Sequence, residues 1–124
     1  MTKLDQLLQQ IRNEIGGDFI SMSISGSDGI AIARETVNPD KKASDETTTR
    51  ALMVLQLAKK VSEKLGLGEF EENMLTSDKI YGLLSYLGDG SYSCTVAVTK
   101  KATLGTVRMI IDDYASQVWD AIPR

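Results

Sequence analysis

The sequence has 124 residues, with 14 Lys and Arg against 17 Asp and Glu and a net charge of −3. That is long enough for one packed core and offers no basic footprint for DNA or RNA. Histidine is absent, which removes Ser-His and Cys-His nucleophile pairs, imidazole metal ligands and the one side chain that ordinarily titrates near neutrality. The single cysteine, Cys94, lies in an apolar run and allows no internal disulfide, so a reduced, buried thiol in a cytoplasmic protein is expected. No run approaches membrane-spanning length, and the first residues open an amphipathic helix rather than a secretory leader. One domain over residues 1–124, with no cofactor, is the expectation. The basic pairs Lys41-Lys42, Lys59-Lys60 and Lys100-Lys101 read as solvated surface. In the acidic pairs Asp45-Glu46, Glu71-Glu72 and Asp112-Asp113, neighbouring side chains diverge, so none sets two carboxylates on one substrate.

In chain order, Leu4, Leu7, Leu8, Ile11 and Ile15 recur at helical spacing and predict a first helix, stopped by Gly16-Gly17 and opened by Thr2 and Asp5 as a capping box. Alternation over residues 18–25 predicts a strand with Ile20, Met22 and Ile24 on one face and Phe19, Ser21, Ser23 and Ser25 on the other. Gly26-Ser27-Asp28-Gly29 supplies hairpin chemistry, Asp28-Gly29 supporting the positive φ of a tight turn, and residues 30–33 return as the second strand. A long helix then begins between residues 38 and 45 and ends near Leu65, where Leu65-Gly66-Leu67-Gly68 forms a glycine stop. At about 100° per residue, Leu57, Val61, Val54, Leu65, Ala58, Ala51 and Leu55 cover an arc of roughly 160°, which Met53 and Leu52 widen on both sides. A helix on one sheet face needs a stripe of little more than about 100°. The excess predicts a partner surface. Residues 69–76 predict an acidic edge strand, and residues 80–87 and 92–99 two more strands joined at Gly88-Asp89-Gly90.

The last helix runs from Leu104 to about Ile122, with Leu104, Val107, Ile110, Ile111, Tyr114, Val118 and Ile122 on one stripe, Trp119 broadening it and Pro123 ending it. Thr103 is placed to cap it with its hydroxyl. Within Leu104-Gly105-Thr106-Val107-Arg108, Gly105 is expected to lie close against the sheet, so that Gly105→Val destabilises. Arg108 is expected to be a solvated surface side chain. The order α-β-β-α-β-β-β-α predicts an α/β (α+β) fold: a five-stranded antiparallel sheet with the first and last helices on one face and the long middle helix on the other.

In this order and spacing the chain resembles the Roadblock family, the dynein light chain and bacterial gliding-regulator group. The residues that carry the resemblance are Gly17, Asp28-Gly29, Ala51, Leu65-Gly66 and Leu104-Gly105-Thr106-Val107-Arg108. They span nearly the whole chain, and Thr103 stands where many members have asparagine. The resemblance implies a profilin-like sandwich that homodimerises by packing its middle helices together and pairing its third strands into one continuous sheet. That would place Ala51, Met53, Val54, Leu57, Val61, Phe70 and Glu72 at the dimer interface. It further implies a non-catalytic adaptor or GTPase-activating subunit for a small Ras-like GTPase, for which Arg50, Lys60 and Lys64, beside the apolar seam, are the candidate partner-binding residues. Arg34, Arg50 and Arg108 are candidates for an arginine finger, but none lies in a recognisable finger loop, so reorganisation of the GTPase's own switch residues is favoured. The alternative is a small-ligand sensing domain of profilin, PAS or GAF-like type, against which stand few aromatics and no convergent polar cluster. An enzyme in its own right is the weakest reading.

Overall fold

The computed structural model describes residues 1–38 and 40–124, and of Lys41 the backbone only. Helix α1 (Lys3–Ile15) opens on the expected capping box: the Thr2 hydroxyl accepts from the Asp5 amide at 3.1 Å and the Asp5 carboxylate accepts from the Thr2 amide at 3.1 Å. The chain continues through β1 (Phe19–Gly26), β2 (Ala31–Thr36), α2 (Lys41–Lys64), β3 (Glu72–Thr76), β4 (Ile80–Leu87), β5 (Tyr92–Thr99) and α3 (Leu104–Ala121). All strand pairs are antiparallel and the sheet order is β2-β1-β5-β4-β3, which leaves β2 and β3 as edges. Element order and sheet agree with the sequence reading.

The two faces of the sheet differ in kind. On one, α1 and α3 pack against each other and bury Leu7, Leu8, Ile11, Met22, Ile24, Val96, Val98 and Val118 in a continuous apolar core. On the other, under α2, hydroxyls meet: Ser25 and Ser93 share a buried hydrogen bond of 3.0 Å, and the Thr48 hydroxyl donates toward Ser23 at 3.2 Å. This is the expected small-residue face of β1, which a helix can approach closely but to which few apolar contacts tie it.

Several boundaries differ from expectation. The β1–β5 register shifts between Phe19 and Ser21, and the extra residue turns Phe19 into the core with Met22 and Ile24, leaving Ile20 outside it. Strand β2 reaches Thr36 because its charged residues are tied to both helices, Glu35 to Arg12 at 2.6 Å and Arg34 to Asp45. Strand β3 starts at Glu72 rather than 69; Phe70 precedes it, its ring edge-on to Tyr86 at 6.2 Å. Helix α2 begins at Lys41, capped by the Asp40 carboxylate on the Ala43 amide at 3.2 Å. Pro39, within the range considered for its start, lies outside the described residues. At its other end the Gly66 amide bonds Glu63 O and the Leu67 amide bonds Ser62 O, with Gly66 at φ +64, so the glycine stop is a Schellman motif.

The last helix departs from expectation at its start. Thr103 sits at the cap position but its hydroxyl makes no bond to the helix; its carbonyl accepts from the Val107 amide at 3.1 Å. Gly105 and Thr106 are exposed, so solvent meets the free amides of the first turn. Gly105 makes no close approach: a Cβ built there has nothing within 4 Å among the described residues, and the expected overlap on Gly105→Val falls away. The close approach is at Gly88, in the β4–β5 turn, where φ is +54 and a Cβ would lie 2.3 Å from the Trp119 indole.

Cys94 is buried, and burial pushes its thiol up to about 12 from an ordinary value of 9.0. Native protein should therefore resist alkylation by iodoacetamide at pH 8 and react only when urea unfolds it. Thiolate formation also favours the unfolded chain, so this group's contribution to stability, full below pH 9, declines as pH rises from about 9 toward 12. Rapid labelling of the folded protein would contradict this placement.

Candidate protein-protein interface

Helix α2 has two apolar stripes rather than one broad face. Its inner side meets the sheet through Thr48, Leu52 and Leu55, all buried. Leu57 lies two residues beyond Leu55, about 200° round the helix, and with Val54, Val61 and Leu65 follows the spacing of a second stripe that faces outward. Met53 flanks it. Met53 is 60%, Leu57 63% and Leu65 66% exposed, with Val54 and Val61 somewhat less. Isolated exposed apolar side chains are ordinary, but a run of five at helical spacing on one element is a patch of the kind that marks a contact surface.

Of the residues assigned to a dimer interface, Met53, Val54, Leu57 and Val61 fall on this stripe and Ala51 sits half-buried beside it. Strand β3, which α2 touches, has an unpaired outer edge, and its Met74 and Leu75 are exposed. Those two side chains escaped the sequence reading because neighbours in a strand point to opposite faces, so neither builds an apolar stripe. Glu72, at the head of β3, is bound to Arg108: both Nε, at 2.8 Å, and Nη2, at 2.7 Å, reach the same carboxylate oxygen. Arg108 lies at the surface, as expected, and there ties α3 to the edge strand through an exposed ion pair. Phe70 is half-buried beside Tyr86, whose ring also carries the Lys59 ammonium at 5.1 Å. Burial raises the Tyr86 phenol above its ordinary value, and the charge of Glu63 adds to the effect.

The cations around the stripe are differently engaged. Arg50 lies one turn before Val54 and pairs with Glu46 at 3.1 Å, an exposed i,i+4 contact worth only about 0.3–0.5 kcal/mol, so it is available to a partner. Lys60 and Lys64 are exposed. Arg34 holds Asp45 across β2 and α2, which together with the Arg108–Glu72 pair leaves Arg50 as the freest of the three arginines. Asp28 and Gly29 close the first hairpin, the Asp28 carboxylate accepting from the Ile30 amide at 3.0 Å and Gly29 standing at φ +79. Among the described residues no group of three or more His, Cys, Asp or Glu side chains converges as a metal site, and no helix is long and apolar enough to cross a membrane.

No protein-family profile matches the sequence, and no curated protein matches it. Solved structures do match in shape. MglB of Myxococcus xanthus superposes with a TM-score of 0.84 at 12% identity, over 97% of this chain and 94% of that one. A structure described as MglB with tetrameric arrangement gives 0.83 at 15% identity, over 96% and 87%. A Roadblock/LC7 domain from Streptomyces avermitilis gives 0.75 at 16% identity, over 92% and 96%. The chain has the Roadblock fold.

Proposed function

We propose, from this Roadblock fold, that the protein is a homodimeric, non-catalytic regulator of a small Ras-like GTPase. The observation that carries the reading is the outward apolar stripe of α2 beside the open edge of β3. Two copies related by a two-fold axis cover both at once, with α2 packed on its mate and the β3 edges joined, as the family resemblance of the sequence implies. Ala51, Met53, Val54, Leu57 and Val61 form the seam, with Phe70 and Glu72 near the strand junction. Self-association in this fold has a precedent in the tetrameric arrangement of MglB.

Arg50, Lys60 and Lys64 flank the seam and are presented twice on one face of the dimer, which makes them the docking residues for the GTPase. Charge reversal of Arg50 and Lys60 together should weaken binding to a Ras-like GTPase from the same cell by about tenfold while leaving the dimer intact, because rim charges chiefly govern encounter and orientation. Titration calorimetry against the GTPase loaded with GDP or a GTP analogue measures this. Unchanged affinity in the double variant would place docking elsewhere, and absence of binding in either nucleotide state would contradict the proposed function.

A further inference from the structure

We propose that residues 42–50, the N-terminal half of α2, act as a lid that lifts from the sheet independently of the rest of the helix. The two halves of α2 are anchored by different chemistry. Leu52 and Leu55, the buried apolar anchors, and the whole outward stripe from Met53 to Leu65 lie beyond Arg50. Before that point the outward face is polar, with Lys42, Asp45, Glu46, Thr49 and Arg50 exposed.

The side of this half that faces the sheet buries only Thr48 among residues 42–50. A cavity of about 200 Å³ separates it from the sheet, where the hydroxyls of Ser21, Ser23, Thr36, Thr47, Thr48 and Thr95 mix with the apolar side chains of Ile20, Ile80 and Ala97, with room for several water molecules. Lifting the segment therefore withdraws no buried apolar side chain of its own from the sheet, whereas lifting the rest would expose Leu52 and Leu55, and apolar burial is the main force that holds a helix to a sheet. Among the described residues its polar ties to the sheet are the Thr48–Ser23 hydrogen bond and the Arg34–Asp45 ion pair, whose carboxylate side is 54% exposed, and Thr49 lies beside the Gly29 turn. Arg34, which lines the cavity, also has a buried Nε without a hydrogen-bond partner among the described residues. Opening lets water reach that donor, which offsets part of the cost of breaking the ion pair. The lifted state presents a sheet face on which hydroxyls mix with Ile20, Ile80 and Ala97 while the C-terminal half of α2 keeps its place.

Hydrogen exchange read by mass spectrometry on the full chain tests this, using residues 45–50, which lie beyond the free amides of the first turn. These amides should exchange at least about tenfold faster than those of residues 53–64, since segments with little apolar anchorage open at the low end of the free-energy range. Asp45→Asn should accelerate residues 45–50 by about twofold to fivefold more and leave residues 53–64 unchanged. The same contrast must hold in Leu57→Glu, where a dimer seam no longer protects the C-terminal half. Uniform exchange along α2, loss of the contrast in Leu57→Glu, or equal acceleration of both halves by Asp45→Asn would each overturn the lid.

Discussion

Gly88→Ala should lower the stability of the fold by about 2–4 kcal/mol, combining the cost of a left-handed backbone for an L-residue with that of forcing apart a packed ring. The two costs act together because the turn has φ +54 and the new methyl would fall 2.3 Å from the Trp119 indole. The half-buried indole must shift to admit the methyl, disturbing its edge-on contact with Tyr92 at 6.3 Å and its stacking under the Arg124 guanidinium 4.0 Å from its centre. For a chain of this size the loss corresponds to a fall in Tm of roughly 6–20 °C. Gly105→Ala is the control. It lies exposed in the first turn of α3 with open space around it, so alanine there should be neutral or add up to about 1 kcal/mol through helix propensity. Thermal and urea unfolding of both variants decide the matter, and equal losses would contradict the assignment.

These two glycines show where the sequence was legible and where it was not. Helices and hairpins follow from local periodicity and turn chemistry, and β4 and β5 fall on either side of Gly88-Asp89-Gly90, where that turn puts them. What a glycine touches is not local. The Leu104-Gly105 corner reads as a close approach in one dimension, whereas the tight contact joins Gly88 to a tryptophan on a different element. The same limit explains Phe19, whose facing depends on a shift of register against β5, and Arg108, whose partner Glu72 is 36 positions away. On α2 the apolar arc was visible but its meaning was incomplete. Periodicity counted the residues that face the sheet together with those that face away, and packing against β4 and β5 divides the arc into Leu52 with Leu55 inside and Met53 to Leu65 outside.

Leu57→Glu should separate those two roles. Leu57 is 63% exposed in the single chain, so the substitution should change the stability of an isolated copy by no more than about 0.5 kcal/mol. In a two-fold seam the same carboxylate is desolvated near its own symmetry mate, at a cost of about 3 kcal/mol or more. That raises the dimer Kd by at least about a hundredfold. The readout is the concentration dependence of Tm. Native protein should melt higher as concentration rises, by mass action on the dimer, and the variant should not. A variant whose Tm still climbs with concentration would show that Leu57 lies outside the contact.

Sedimentation equilibrium of the native chain at micromolar concentration is the most direct test of the claim that the outward stripe of α2 is an interface. Two copies of a 13.6 kDa chain in the native protein, falling to a single copy in Leu57→Glu, is the expected result. A mass of one copy for the native protein across that range would contradict it.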